Sequence, residues 1–427
     1  MRNEAVYRPP LRNLFMQSIT RREMLRLAAM TALAGLGVMP AFPLAAADET
    51  KETFTDASTR LKKWLGECTV KSRIDYAGGL RLHTPCIEGI YKGIWPDDFL
   101  YPLLVDRSLA NETTLTRALG LITESVVDLP RVPDRVEADG MPVMQPGGLR
   151  APHAQHMPLH LPAAWVRLLD YAQQMGATIP RKPDWARLIE RSFTQVPFAC
   201  GLAYVDPQWP GVGFGFHDPC AITGFELMSS VILYRGLQRA AALFSDVIEP
   251  SRKQSWLAQA DGIRRNLYRL WSEEDGAYFA GSTDCRQVSV WGNGLAYWLS
   301  APEKQRRIVA WYKANKKRIF LLGYTRQIAE ENGWQRQLVD VPLGSYTNGG
   351  FWSVGTGFVL PAIADQDAEF AAGLAKELVV NMEATSFAEW IFADRTPSGA
   401  KGFLAGIAMP ALGLRSIIEK QPLLAYF

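Results

Sequence analysis

A 3.6-residue apolar period recurs along almost the whole of this chain, and no stretch reads as a strand-rich block or a Ser/Gly-rich linker. The period predicts about twelve helices, over residues 54–66, 96–105, 113–127, 159–175, 185–195, 220–245, 252–271, 290–299, 302–313, 352–364, 368–382 and 403–418. Glycine, proline and aspartate gather between them, as over 128–148, 204–215 and 394–402. That many helices, joined by alternating short and long connections without a domain break, suit hairpins arranged in a ring. The expected fold is all-α, an (α/α)6 toroid in which six outer helices wrap six inner ones, with minor β-hairpins in the loops; 278–281 reads as extended. Inner helices must be apolar on most faces. Residues 352–364 carry no charge and suit that position, whereas the charge runs 303–307 and 313–318 suit solvated outer faces.

Charge narrows the partners. The 427 residues carry a formal +3, and residues 1–47 account for +4 of it with six Arg and two Glu, leaving the other 380 at −1. A near-neutral chain lacks the basic surface that phosphate binding requires, which argues against nucleic acid. Thr20-Arg21-Arg22-Glu23-Met24-Leu25 has the form of a twin-arginine export signal. An apolar run over 27–39 follows it, and Ala45-Ala46-Ala47 offers a cleavage point. The expected organisation is a signal peptide over 1–47 and a single catalytic domain over 48–427. Its first partner is the twin-arginine export machinery, and its destination the periplasm or the exterior. A run this short does not span a bilayer, so no stable membrane insertion is expected. Cys68, Cys86, Cys200, Cys220 and Cys285 are scattered, without a C-x-x-C pair, which suits mostly free thiols rather than a disulfide framework or zinc site.

Two short stretches place a carboxylate among aromatic rings. In Gly215-Phe216-His217-Asp218-Pro219, Asp218 precedes an expected helix from 220. Asp followed by Pro is a common helix start, so a capping role stands beside a catalytic one. Trp209, Phe214, Phe216 and Phe225 lie close in sequence, and desolvation by such surroundings raises a carboxyl pKa, as a general acid needs. In Phe387-Ala388-Glu389-Trp390, Glu389 is an isolated acid flanked by rings, able as a carboxylate to deprotonate water. Two carboxylates on separate loops with aromatic surface around them are what hydrolysis of a glycosidic bond needs. Tyr346-Thr347-Asn348-Gly349-Gly350-Phe351-Trp352 adds Asn348 for sugar hydroxyls and Trp352 as a stacking face, although Asn-Gly is equally a turn signal. Trp95-Pro96-Asp97-Asp98 places two acids at a helix start. There they favour the dipole, while Asp98 suits two vicinal hydroxyls and both acids rival Asp218 as proton donor. His153, His156 and His160 have metal-ligand spacing on a helix, but Pro152 and Pro158 interrupt it, so no metal is expected. His83 and His217 are isolated.

Together these segments resemble the six-hairpin glycosidase superfamily, the (α/α)6-barrel glycoside hydrolases, over roughly residues 86–418. The family's Trp-x-x-Asp segment is similar to Trp95–Asp98, and its Asp, Gly, Leu-Tyr-Arg pattern to Asp218, Gly224 and Leu233-Tyr234-Arg235. Its Val-Trp-Gly-Asn helix start resembles 290–293, its Tyr-x-Asn-Gly-Gly-x-Trp loop 346–352, and its late Glu-Trp 389–390. The usual Trp-x-Arg-Asp reads Trp-Pro-Asp-Asp here, so the arginine contact is missing. The resemblance implies an inverting hydrolase acting on an oligosaccharide or glycoside without metal or organic cofactor. Asp218 would be its acid and Glu389 its base, with Trp95, Asp97, Asp98, His217, Tyr346, Asn348, Trp352 and Trp390 around the sugar. Two other readings remain: a polysaccharide lyase on the same toroid with Tyr346 or His217 as base, and a non-catalytic carbohydrate-binding envelope protein in which Asp218 is merely a cap.

Overall fold

The computed structural model describes residues 44–148 and 151–427. Almost all of the expected signal segment lies outside the described residues, whose first helix opens at Leu44. Residues Glu49–Phe427 form one compact unit. The helices come as outer–inner pairs: α1 (Leu44–Lys71) with α2 (Pro96–Val105), α3 (Glu112–Val126) with α4 (Leu161–Gln174), α5 (Lys182–Thr194) with α6 (Leu227–Leu243), and α7 (Pro250–Asn266) with α8 (Val290–Ala296). Next come α9 (Pro302–Ala314), the short α10 (Lys316–Ile319) and α11 (Ser353–Gln366), then α12 (Ala368–Met382) with α13 (Leu404–Ile418).

Packing closes the inner set into a ring. α2 lies on α4, α4 on α6, α6 on α8, α8 on α11, α11 on α13, and α13 returns to α2. This is the expected (α/α)6 toroid. Burial follows the same division. Every residue from Ser353 to Ile363 of α11 is buried, whereas the outer α7 buries only Trp256, Ala260 and Ile263. The inner helices approach closely through glycine. A Cβ on Gly357 would come within 2.3 Å of the Met409 backbone on α13, and one on Gly294 within 2.3 Å of the Phe358 carbonyl oxygen on α11. Interiors packed at crystal density have no slack for such a methyl, so Gly357→Ala would force two inner helices apart.

Seven small sheets of two or three strands decorate the loops among the described residues. They include the hairpin pairing Trp271–Ser272 with Ala277–Tyr278. One predicted helix needs correction. The segment over 220–245 becomes helical only at Leu227, where the Glu226 carboxylate accepts from the Met228 and Ser229 amides. Gly224 at φ +76° and its pairing with Val205 hold the preceding residues extended. Asp218 is therefore not the cap of this helix.

Candidate active site

The chain just before or at the starts of five of the six inner helices, all but α8, lines a cavity of about 540 Å³. Asp97 and Asp98 come from the first turn of α2, His160 from the start of α4, Asp218 from the approach to α6, Tyr346 from the approach to α11 and Glu389 from the loop between α12 and α13. Helix N-termini carry partial positive charge, which favours carboxylates at this rim.

Glu389 is buried at 4% exposure. Its loop turns sharply through Ser386 and Phe387, both left-handed at φ +54° and +51°, a strained arrangement of the kind that persists where surrounding contacts over-determine it. The Ala400 amide donates to Glu389 Oε2 at 3.0 Å, and Gly399 passes so close that a Cβ there would sit 2.6 Å from the same oxygen. The Tyr91 hydroxyl lies 3.2 Å from both carboxylate oxygens. Burial pushes the Glu389 carboxyl up to about 7; the amide and phenol bonds oppose that rise, and the charge of Asp218 adds to it. Tyr91 and Tyr346 are each raised by burial and then by both acids, so the two carboxylates and two phenols share one electrostatic environment.

Asp218 follows a tight turn over Gly215–His217, braced by the Leu338 amide on the Pro219 carbonyl (2.7 Å) and the Ala221 amide on the Arg336 carbonyl (3.1 Å). Its Oδ2 lies 2.8 Å from His153 Nδ1, while its buried Oδ1 has no hydrogen-bond partner among the described residues. The bond to Asp218 holds the His153 imidazole above its usual pKa.

The adjacent acids of α2 part company. Asp97 takes an ion pair from Arg167 and lies 3.1 Å from His160 Nε2. Burial alone would raise its carboxyl, but these two partners outweigh burial and hold it below the usual range. Asp98 has a buried Oδ1 with no partner among the described residues, and burial, then the charges of Asp97, Glu389 and Asp134, push it well above that range. Trp95 donates its indole N–H to Asp134 Oδ2 at 3.1 Å, and the Arg135 guanidinium lies 4.8 Å over its ring. Arg135 also donates to Glu137 at 2.7 Å. Burial raises Asp134 to about 6 against the opposing charge of Arg135.

The cavity thus gathers Asp218, Glu389, Trp95, Asp97, Asp98 and Tyr346 from the sequence-predicted set. Four others belong elsewhere. Trp352 is fully buried, its N–H held by the Tyr346 carbonyl at 2.9 Å, so it supports the rim from behind rather than offering a stacking face. Asn348 is used up within its own loop: its Oδ1 accepts from the Trp334 amide and its Nδ2 donates to the Val341 carbonyl, both at 2.8 Å. His217 is sealed at 1% exposure among Phe214, Trp291 and Trp334, and burial drives its imidazole down to about 3. Trp390 is buried against Phe392. The three histidines at 153, 156 and 160 diverge, to Asp218, to the loop at Gly211 and to Asp97.

Sequence reasoning missed Tyr91, Asp134 and Arg135. Tyr91 is a lone aromatic in a turn and carries no signal of its own. The Asp134-Arg135-Val136-Glu137 run within the Pro/Gly-rich stretch was a usable one: alternating charge where the chain is otherwise turn-like. Arg135 brings a guanidinium beside Trp95 from a different element, at the pocket whose own tetrapeptide lacks the arginine. All five cysteines are free thiols, Cys200 exposed and the others buried.

Solved structures share this architecture. The GH63 mannosylglycerate hydrolase from Thermus thermophilus in complex with Tris matches with a TM-score of 0.53 at 15% identity, over 83% of this chain and 98% of that one. The same enzyme in complex with glucose matches at 0.51 and 17% identity, over 84% and 98%. A bacterial glucoamylase complexed with acarbose matches at 0.54 and 14% identity, over 79% of this chain and 50% of that one. No protein-family model and no curated protein matches the sequence. At these identities the likeness is one of fold, the (α/α)6 toroid.

Proposed function

We propose that this chain is a glycoside hydrolase that inverts the anomeric centre, with Asp218 as general acid and Glu389 as general base. The observation that carries the reading is the joint placement of these two carboxylates, from loops 171 positions apart in sequence, on one cavity at the N-terminal mouth of the ring. Inversion requires an acid on the leaving-group side and a base on the opposite face, with room for water between them. Glu389 suits the base. Its pKa near 7 makes it a stronger base than an ordinary carboxylate while leaving it ionised just above neutrality. Tyr91 and the Ala400 amide fix its two oxygens. With Glu389 as base, the acid role falls to Asp218, which lines the same cavity and is coupled in charge to Glu389. Trp95 and Asp98 suit the sugar, the indole for its C–H face and the carboxyl for hydroxyls.

A uronate-cleaving lyase would need a cation for the substrate carboxylate; Arg135 is engaged by Asp134 and Glu137, whereas Lys92 on the cavity wall is exposed. His217, one candidate base, is buried away from the cavity. The binding-protein reading made Asp218 a helix cap, a role that belongs to Glu226.

Incubation with a panel of aryl glycosides and disaccharides, with the first-formed anomer read by NMR, tests the proposal. Inversion is expected, and Asp218→Asn is expected to lower kcat/KM on disaccharides about 1000-fold with folding unchanged. A retained anomer overturns the mechanism; an inactive wild type overturns the hydrolase reading. We propose further that residues 1–47 direct export as a twin-arginine signal, on the strength of Arg21-Arg22 and the apolar run after them. Replacing both arginines by lysine is expected to leave the protein in the cytoplasmic fraction, and export that persists would refute the signal.

A further inference from the structure

As general acid, Asp218 gives up its proton in each turnover and must regain it before the next. The geometry around it offers a route. We propose that His153 is the positioning residue of the general acid, an imidazolium in ion-pair contact with Asp218 that hands it a new proton after each turnover; this rests on the hydrolase reading above.

His153 Nδ1 lies 2.8 Å from Asp218 Oδ2, and the imidazole is the more solvent-open partner, at 23% against 14% side-chain exposure. The ring is held in place rather than left to swing. Its own amide donates to the Pro146 carbonyl at 2.9 Å. Gly147, at φ +89°, packs against the ring so tightly that a Cβ would come within 2.7 Å of its Cδ2, a position open only to glycine. Besides Asp218, the charge facing His153 is Asp134, itself bound by Arg135; facing Asp218 are Tyr91, Tyr346, Glu389 and Asp134. Among the described residues the cavity also holds Lys92 and Arg135, and the His153 imidazole, at 2.8 Å, is the basic group in direct contact with the acid. Both acids favour the protonated imidazole, in keeping with its raised pKa.

The proton balance closes. As the glycosidic C–O bond breaks, its electron pair stays with the leaving oxygen, which takes the proton of Asp218. His153 passes its Nδ1 proton to Asp218 and becomes neutral, and bulk water restores the imidazolium through the exposed side of the ring. Glu389 takes the proton of the attacking water and releases it to solvent, so no net proton is consumed. Neither an oxidant nor a metal enters.

Two measurements test this. In the protein alone, the His153 ring resonances followed by NMR against pH are expected to show a midpoint about one pH unit lower in Asp218→Asn than in wild type; an unchanged midpoint overturns the pairing. Kinetically, 2,4-dinitrophenyl and methyl glycosides of the same hexose separate proton donation from binding, because the dinitrophenolate leaves without help. His153→Gln is expected to lower kcat/KM about 100-fold on the methyl glycoside and less than about twofold on the dinitrophenyl one. It is also expected to move the alkaline limb of the methyl-glycoside profile to lower pH. Equal losses on both substrates, in this variant and in His153→Asn, would show a merely structural role and overturn the proposal. A wild type inactive on every glycoside overturns the hydrolase reading, while the titration still judges the pair independently.

Discussion

The mouth of the ring holds two groups of carboxylates with opposite treatment. On one side Asp97 is met by Arg167 and His160, both buried and both aimed at it. On the other, Asp98, Asp218 and Glu389 share one imidazole, one phenol and one backbone amide, and two of their oxygens are buried without partners among the described residues. Asp97 and Asp98 are neighbours on one helix turn, so the difference is not one of dipole. A carboxylate given its own cation is a bolt between elements, here α2 and α4. Carboxylates left short of partners are destabilised in the empty protein and are the ones a ligand or reacting group can satisfy.

The comparison breaks most easily at Arg167. Arg167→Met leaves Asp97 charged and buried with His160 alone, and is expected to cost about 4 kcal/mol in chemical denaturation. Asp98→Asn should stay within about 1 kcal/mol of wild type, since burial and the neighbouring carboxylates already disfavour the charge it removes. Equal costs for the two would erase the distinction between the groups. The next effect is pH-dependent and concerns Glu389. Its folded pKa of about 7 stands above the ordinary glutamate value of 4.5. Between these values the folded protein holds a proton that the unfolded chain has released, so stability falls as pH climbs from about 4.5 to 7. Glu389→Gln cannot ionise, and is expected to be about 3 kcal/mol more stable than wild type at pH 8, with the gap closing at pH 4. A gap that persists at pH 4 would point to packing instead. The smallest effect sharpens the line between rim and support. Trp352→Phe removes the bond to the Tyr346 carbonyl and is expected to cost about 1 kcal/mol in thermal unfolding. Its KM should change less than about threefold; a larger rise would mean that the indole reaches the sugar after all.

Much of the ring was legible because helical period is a local property. Residues 352–364, uncharged on every face, lie almost entirely within inner helix α11, and 403–418 within α13. The start of α2 was legible too, through Trp95-Pro96 and the two acids after them. The helix expected from 220 was not. Asp-Pro imitates a helix start, and only the pairing of Gly224–Phe225 with Tyr204–Val205 delays the helix to Leu227. Asn348 and Trp352 showed the same ambiguity. Asn, Gly and Trp suit a sugar and suit a loop that must bond its own backbone, and here the loop takes both side chains.

The sequence by itself determined a closed circle of helical hairpins and put its acids and aromatics at the starts of the inner helices. Periodicity, caps and breakers act over a few residues and need no partner from elsewhere. Only the tertiary structure decided which acids are bolts and which are poised for chemistry. Arg167 stands 70 residues from Asp97, and Tyr91 stands 298 from Glu389. The protonation of a buried carboxyl is set by whatever lies within a few ångströms of it, and that neighbourhood exists only once the ring has closed.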